Sequence, residues 1–184
     1  MRWQLDWRML LAVFAIFGVG LFLGSQSRAP APAVEGSAAD RLRPVSSSPP
    51  GGVAARTVYV PVYSSIYLGL NIKKTMVDLA ATVSVRNVSV RHPLVLEVVR
   101  YYDSAGKPVR DYITEPSELP PLATVEFVIQ RADATGGPGA NFLIQWKGPS
   151  EIDEPLIEAV MVGQSGNAGI SFTSVGRTVS EAPR

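Results

Sequence analysis

The sequence contains no cysteine and only one histidine, His92, among its 184 residues. The absence of cysteine excludes disulfide bonds, a thiol nucleophile, cysteine-ligated metals and a lipid-modified N-terminal cysteine. A single histidine leaves the common catalytic and zinc-binding arrangements without the side chain on which they most often depend. We therefore predict no catalytic residue, no metal site and no cofactor.

Neither sign of charge is in excess, because 17 lysine and arginine residues are balanced by 16 aspartate and glutamate residues. A chain with almost no net charge has no long-range field that would attract nucleic acid. No nucleic-acid partner is therefore predicted. The length suits one folded domain with extensions, since domains usually contain about 100 to 200 residues.

The longest apolar run, MLLAVFAIFGVGLFLG, covers residues 9–24. Arg2 and Arg8 precede it, and Trp3 and Trp7 stand where an interfacial aromatic belt would lie. Its length falls between the apolar part of a cleaved signal peptide and a spanning helix, so both interpretations fit. We favour an uncleaved anchor, which makes the membrane a partner through residues 9–24.

The remaining chain divides by composition. Residues 25–56 contain no aromatic residue and are rich in Ala, Pro, Ser and Gly, which predicts a disordered linker. With residues 1–24 as the anchor or transmembrane helix, this leaves residues 57–179 as the folded domain and residues 180–184 as a flexible tail. The short basic segment ahead of a single span is typical of export, so we expect the domain to lie outside the cytoplasm.

From Thr57 onward, apolar and polar residues alternate with the period of a half-buried strand. The apolar sets are Leu79, Ala81, Val83 and Val85; Val125, Phe127 and Ile129; and Phe142, Ile144 and Trp146. Residues 103–106, Asp-Ser-Ala-Gly, predict a hairpin loop with Gly106 in the left-handed conformation. Short strands separated by Gly and Pro predict an all-β fold, which we interpret as an immunoglobulin-like antiparallel β-sandwich of seven or eight strands.

The stretch TVYVPVYSSIYLG, residues 57–69, is predicted to be the first strand of this sandwich. Alternation places Val58, Val60, Val62, Ile66 and Leu68 towards the core, and Tyr59, Pro61, Tyr63, Ser65 and Tyr67 on the opposite face. Because Pro61 cannot donate a ladder hydrogen bond, the strand should lie at a sheet edge or contain a bulge. The row Tyr59, Tyr63 and Tyr67 either caps the sandwich edge or forms a strip that binds sugar or peptide.

Several of these segments resemble an uncharacterised bacterial family classed as a domain of unknown function. The segments are VYVPVYSSIY, LAATVSVRNVSVRHPLVLEVVRYYDSAGKPV, ELPPLATVEFVI and GGPGANFLIQW, within residues 57–179. The resemblance implies an exported protein that is membrane- or lipid-anchored, and Ser25 stands where lipidated members carry cysteine. A more distant similarity, to the type-2 late-embryogenesis-abundant sandwich, implies a binding or stabilising domain. Neither resemblance supplies a catalytic residue.

A catalytic serine could be sought at Ser64 or Ser65, but a serine nucleophile needs a base within hydrogen-bond reach. His92 lies in a turn between two predicted strands, and no nucleophile-elbow motif surrounds either serine. A serine-lysine pair with Lys73 or Lys74 has no supporting spacing. We therefore interpret the serines as turn or edge residues.

The other polar clusters give little indication of a binding site. The acidic segment with Glu151, Asp153, Glu154 and Glu158 lacks the spacing of a calcium-binding loop, so a solvated loop is favoured. The glycine-rich stretches 134–141 and 163–169 lack the ending of a phosphate-binding loop and are interpreted as connections between strands.

Two hypotheses of function remain. The first is a non-catalytic module tethered to the bacterial inner membrane by a single span, with its domain in the periplasm or outside the cell. Its partner would be an envelope protein or glycan. The second is a cell-envelope hydrolase with an unassigned carboxylate or serine site. The scarcity of catalytic side chains favours the first.

Overall fold

The structure is a computed structural model that describes residues 41–45, 53–69 and 76–180. These residues form an all-β domain of two antiparallel sheets. The long strands are β2 (Val53–Pro61), β4 (Met76–Arg86), β5 (Leu94–Tyr102), β8 (Thr124–Ile129), β9 (Asn141–Pro149), β10 (Leu156–Ser165) and β11 (Ala168–Val175). The short strands are β1 (Arg43–Pro44), β3 (Ser65–Tyr67), β6 (Pro108–Asp111), β7 (Ser117–Leu119) and β12 (Arg177–Val179). The number of strands exceeds the predicted seven or eight because strands of two to four residues carry too little alternation to be recognised.

The larger sheet has seven strands in the order β1-β7-β5-β9-β2-β12, and β6 pairs with the C-terminal end of β5. The smaller sheet has five strands in the order β11-β10-β4-β3. Strand β8 pairs with β4 further along the same edge, after β3 has ended. Every pair is antiparallel, so consecutive long strands are joined by hairpins or by connections that cross between the sheets.

The core lies between the two sheets and confirms the predicted alternation. Each of the three apolar sets named above is buried along its whole length. Trp146, Tyr101 and Phe142 are the largest side chains that are fully buried or nearly so. The rings of Tyr101 and Phe142 lie 5.2 Å apart between centroids, a distance within the range of favourable aromatic pairs.

The prediction that residues 57–69 form a single strand is wrong, because the structure divides this stretch between two strands. Strand β2 belongs to the larger sheet and ends at Pro61, whereas β3 pairs with β4 in the smaller sheet. The chain therefore changes sheets between residues 61 and 65, which breaks the alternation that a single strand would continue. As a result Val58, Val60 and Val62 are buried, while Leu68 is 37% exposed.

Pro61 does not mark an edge strand, which corrects a second prediction. Strand β2 lies between β9 and β12, with Thr57, Val58 and Tyr59 paired on both sides. Pro61 is tolerated because it lies beyond the end of β12, where only β9 still pairs with β2.

The ordered strands begin earlier than the predicted domain boundary at residue 57. Arg43 and Pro44 pair with β7, and β2 begins at Val53. Main-chain pairing explains the difference, because a strand can be held by backbone hydrogen bonds without the apolar side chains that the sequence criterion required.

The predictions for residues 1–24 and for the tail at 181–184 lie outside the described residues. In the part of the chain that the structure describes, no helix has the length and apolar character needed to cross a membrane.

The predicted hairpin between β5 and β6 is confirmed. Gly106 has φ of 77°, and its N–H donates to the carbonyl of Asp103 at 2.9 Å. The Asp103 carboxylate accepts hydrogen bonds from the N–H groups of Ala105 and Lys107 at 2.9 and 2.8 Å. This local bonding explains why the turn could be recognised from four residues.

A buried asparagine holds two loops together at one end of the sandwich. Asn87 is 2% exposed, and its side-chain amide donates to the carbonyls of His92, Leu119 and Pro120 at 2.9, 3.1 and 3.0 Å. Its side-chain oxygen accepts from the N–H of Ser89 at 3.0 Å. The loop after β4 and the loop after β7 are thus joined through one side chain.

Candidate functional site

The face of the larger sheet that points away from the core carries polar, aromatic and charged side chains. Residues paired across neighbouring strands point to the same face, which defines rows that run perpendicular to the strands. From β12 through β2 and β9 to β5, the rows are Val179, Thr57, Gln145 and Val98; Arg177, Tyr59, Leu143 and Arg100; and, without a β12 residue, Pro61, Asn141 and Tyr102.

A groove with a volume of about 590 Å³ follows the first of these rows. We call it the transverse groove, and its lining includes Arg56, Thr57, Glu97, Gln145, Thr178 and Val179. These residues come from β2, β5, β9 and β12. Because adjacent strands lie about 4.8 Å apart, the groove crosses roughly 14 Å of sheet. Its length suits an extended ligand lying across the strands.

A β-bulge in β5 places a charge in the transverse groove. The register shifts between Leu96 and Val98, which leaves Glu97 as the extra residue. An extra residue turns its side chain out of the regular alternation. The Glu97 carboxylate oxygen Oε1 lies 2.6 Å from Nζ of Lys147, and about one third of each side chain is exposed. A ligand in the groove would therefore meet the partly exposed Glu97 carboxylate, whose ion-pair partner Lys147 lies beside the groove.

Two uncharged polar side chains lie near the middle of the groove. Thr57 is only 6% exposed, and Nε2 of Gln145 is 3.5 Å from its hydroxyl oxygen. This separation is at the long limit of a hydrogen bond, so the half-buried amide of Gln145 retains much of its capacity to bind a ligand, whereas the Thr57 hydroxyl beside it is largely covered. A hydroxyl and an amide each contain donors and acceptors, which matches them to ligands that have both.

The three predicted tyrosines do not form one row. Tyr59 lies on the outer face of the larger sheet, in the row next to the transverse groove. Tyr63 lies in the segment between the sheets, where its ring packs edge-on against Phe172 at 5.6 Å between centroids. Tyr67 belongs to β3 of the smaller sheet and is 51% exposed. Only Tyr59 is close enough in the fold to contribute to the groove.

The structure separates the serines from the only histidine. The Ser64 N–H and hydroxyl both donate to the carbonyl of Gly137, at 3.2 and 3.1 Å, and Ser65 is 3% exposed. His92 precedes the other end of β5, so the nine residues of that strand, or about 30 Å, separate the two sites. Its Nε2 lies 3.9 Å from Oε1 of Glu151. Lys73 and Lys74 lie outside the described residues.

The acidic segment disperses in the fold rather than forming one site. Glu154 pairs with Arg56 at 3.6 Å, and Glu158 pairs with Arg86 at 3.2 Å. Among residues 41–45, 53–69 and 76–180, no group of three or more Asp, Glu or His side chains is placed to hold a metal ion. The pKa of Glu151 is lowered by hydrogen bonds from its own backbone N–H and from Ser150.

The glycine-rich stretch 134–141 forms a loop held by side chains of other segments. The Ser104 hydroxyl donates to the carbonyl of Gly136 at 2.8 Å and accepts from the N–H of Gly139 at 2.8 Å. Beneath this loop, the Tyr101 hydroxyl is buried and lacks a hydrogen-bond partner of good geometry among the described residues. Burial raises the pKa of Tyr101 to about 12, and the Ser64 hydroxyl opposes the shift. We interpret this region as packing rather than as a binding site.

A second groove, of about 570 Å³, lies beside the same loop. Arg110 pairs with Asp133 at 3.1 Å, and its guanidinium lies 5.5 Å from the centroid of the Tyr112 ring. The pKa of Asp133 is lowered mainly by the hydroxyl of Thr135, with further contributions from that residue's N–H and from Arg110. The Asp133 side chain is only 15% exposed, against about one third for Glu97, so the carboxylate of this second groove is less accessible to a ligand than that of the transverse groove.

The alternation of Phe142, Ile144 and Trp146 places Gln145 and Lys147 on the outward side of their strand, but the sequence does not identify Thr57, Glu97 and Thr178 as their neighbours. Alternation identifies which face a residue occupies. It contains no information on which strands are adjacent, and no local signal marked the bulge at Glu97.

Comparisons with known proteins add a family but no activity. No curated protein matches the chain. A crystal structure of Thermotoga maritima 1070 is similar with a TM-score of 0.41 and 9% sequence identity, and the alignment covers 69% of this chain and 97% of that one. The profile of a family described as a protein of unknown function, DUF3124, matches residues 55–179. This match confirms the resemblance to a domain-of-unknown-function family, and because it spans more than half of the sequence, the chain belongs to the DUF3124 family.

Proposed function

We propose that this chain is a non-catalytic binding module, tethered to the bacterial inner membrane and facing the outside of the cytoplasm. Its ligand would be an extended, hydroxyl-rich polymer such as an envelope glycan, held across the strands in the transverse groove. The observation that carries the proposal is a groove that crosses four strands and is lined by polar side chains from each of them: Thr57, Glu97, Gln145 and Thr178.

The chemistry of the groove supports a glycan over an apolar ligand. Sugar hydroxyls both donate and accept, as do the side chains of Thr57 and Gln145, and Glu97 and Lys147 add a charged acceptor and donor. Tyr59 in the adjacent row offers a ring on which a sugar face could stack. Because these residues lie on strands of a packed sheet, they are ordered before the ligand binds, which reduces the entropy lost on binding.

We also propose that the two sheets form an immunoglobulin-like sandwich. It is supported by the division of the long strands into four in one sheet and three in the other. Their order differs from that of an antibody constant domain, because the first, third and fifth long strands share a sheet here. The likeness is therefore one of architecture, and it implies a scaffold that can carry a binding face.

Binding would be tested with the full chain in mild detergent, using short soluble oligomers of β-1,4-linked N-acetylglucosamine as the probe and titration calorimetry as the readout. Gln145→Ala is expected to weaken binding at least about tenfold, because a truncated side chain leaves ligand polar groups without partners. Gln164→Ala is the matched control, since Gln164 is an exposed glutamine on β10 of the other sheet.

Equal binding by both variants would contradict the assignment of the groove. Absence of binding to this probe and to extended peptides of mixed sequence would contradict the proposed function itself.

Location would be tested by fusing alkaline phosphatase after Arg184, since this enzyme becomes active only after export. We expect activity in the full chain and its loss when residues 1–24 are deleted, because those residues contain the apolar run. An inactive full-chain fusion, paired with activity of a reporter that works only in the cytoplasm, would overturn the proposed orientation.

A further inference from the structure

The open edge of the smaller sheet is formed by β11, and it differs from the other sheet edges that the structure describes. Strands β1, β3 and β12 expose edges of only two or three residues, and β6 is four residues long and contains two charges. Short or charged edges resist pairing with another chain. Strand β11 has eight residues, AGISFTSV, without a charge or a proline.

The edge of β8 is long but is covered by side chains. The carbonyl of Thr124 accepts a hydrogen bond from Nη1 of Arg41 at 3.4 Å, and the carbonyl of Val128 accepts one from the Tyr112 hydroxyl at 3.1 Å. No comparable side-chain bond reaches the free main-chain groups of β11 from the described part of the chain. Strand β11 is thus the described edge best suited to accept another strand.

The register identifies which groups of β11 face outward. The N–H of Gly176 donates to the carbonyl of Ile157 at 2.8 Å, immediately beyond the pair of Val175 with Glu158. Bonded and non-bonded pairs alternate in an antiparallel ladder, so even-numbered residues of β11 bond to β10. The N–H and carbonyl groups of Gly169, Ser171, Thr173 and Val175 therefore point away from the sheet.

We propose that β11 is a dimerisation edge to which a second copy of this chain adds its own β11 in antiparallel orientation. A two-fold axis at Phe172 would place Ser171 opposite Thr173 of the second copy, and Gly169 opposite Val175. In this register the outward groups of both copies face one another, and each copy supplies four N–H donors.

The side chains of β11 make this pairing self-complementary. Serine opposite threonine is a favourable cross-strand pair, and no like charges meet because the strand has none. Glycine opposite valine leaves room for the branched side chain. A two-fold interface requires that one surface fit itself, and this register meets that requirement.

The outer face of β10 and β11 is also suited to a sheet that continues from one copy into the second. Val160, Val162 and Val175 are 36%, 47% and 61% exposed. In a dimer, the β11 side chains of the second copy would extend this face and cover part of Val175. The partner that explains both the uncharged edge and the neighbouring valines is a second copy of the chain.

The absence of cysteine permits a direct test. Full chains carrying Ser171→Cys and Thr173→Cys, with different affinity tags, would be mixed in mild detergent and oxidised. We expect a disulfide between the two variants, because paired residues place their Cα atoms about 5.5 Å apart. Each variant alone should cross-link poorly, since identical positions would be offset by two residues and lie beyond about 7 Å.

Edge-blocking variants test whether the edge holds the dimer. Ser171→Lys is expected to weaken dimerisation at least about tenfold in sedimentation equilibrium, because it adds charge at the centre of the interface. Thr173→Pro should act similarly while keeping the β10 ladder, since the lost N–H points outward. Val162→Lys is the matched control, because Val162 pairs with Ser171 on the same face but lies one strand away from the edge.

A monomeric full chain would overturn the proposal. So would a dimer that forms no disulfide between the two cysteine variants, or one that is unaffected by both edge-blocking variants. Circular dichroism would verify that each variant is folded, and the two blocking variants perturb different groups, so misfolding of one leaves the other as the test.

Discussion

Asn87→Ala is expected to lower the free energy of unfolding by about 3 to 5 kcal/mol, the largest effect of any single side-chain truncation outside the apolar core. The variant would leave three carbonyls and one N–H without the partner that Asn87 provides. Leaving a buried polar group unpaired costs about 1 to 3 kcal/mol, although water would reach some of these groups as the loops relax. Urea unfolding followed by circular dichroism measures the effect.

Two further variants show whether the hydrogen bonds are responsible. Asn87→Asp keeps the shape but replaces the amide donor with a carboxylate facing three carbonyls, so it should be at least as destabilising as alanine. Asn141→Ala is the control, because Asn141 is a half-buried asparagine on β9. It should change stability by less than about 1 kcal/mol. A loss of similar size in Asn87→Ala and Asn141→Ala would contradict the proposed importance of the buried network.

The core could be predicted from the sequence because the pattern that indicates burial lies within each strand. Side chains such as Leu79, Phe127 and Trp146 alternate with polar neighbours, and a strand of period two can bury only one face. The hairpin at Gly106 could be predicted for the same reason, since its turn is held by groups within five residues. In both cases the information lies within a window shorter than one strand and its turn.

What the sequence could not predict depends on contacts between distant segments. Thr57 and Gln145 are neighbours only because β2 pairs with β9, and the alternation in each strand is the same for any partner. The change of sheet after Pro61 was also hidden, since valines and tyrosines alternate up to the point where the chain bends. The buried position of Asn87 could not be predicted, because a polar residue after a strand normally indicates a solvated turn.

Gly136→Ala is expected to destabilise the domain by at least about 3 kcal/mol, because there is no space for a methyl group at this position. A Cβ atom there would overlap the Tyr101 hydroxyl oxygen and would lie 2.7 Å from Cβ of Ala140. Tyr101 is fully buried, so its ring cannot move aside without displacing the core. The alternative, a shift of the loop, would strain the bonds that join Gly136 to Ser104.

A double-mutant cycle with Tyr101→Phe tests this cause. Removing the hydroxyl alone should change stability by less than about 1 kcal/mol, because the group lacks a well-formed hydrogen bond. In the Gly136→Ala background, Tyr101→Phe should recover about 1 kcal/mol or more of the lost free energy of unfolding. It should not recover all of it, since the ring carbon Cζ still lies 2.5 Å from the added Cβ. Gly169→Ala is the control at protein concentrations where the chain is monomeric, because a Cβ at Gly169 meets no atom of its own chain within 4 Å. Additive effects of the two substitutions would show that contact with Tyr101 is not the reason for glycine at position 136.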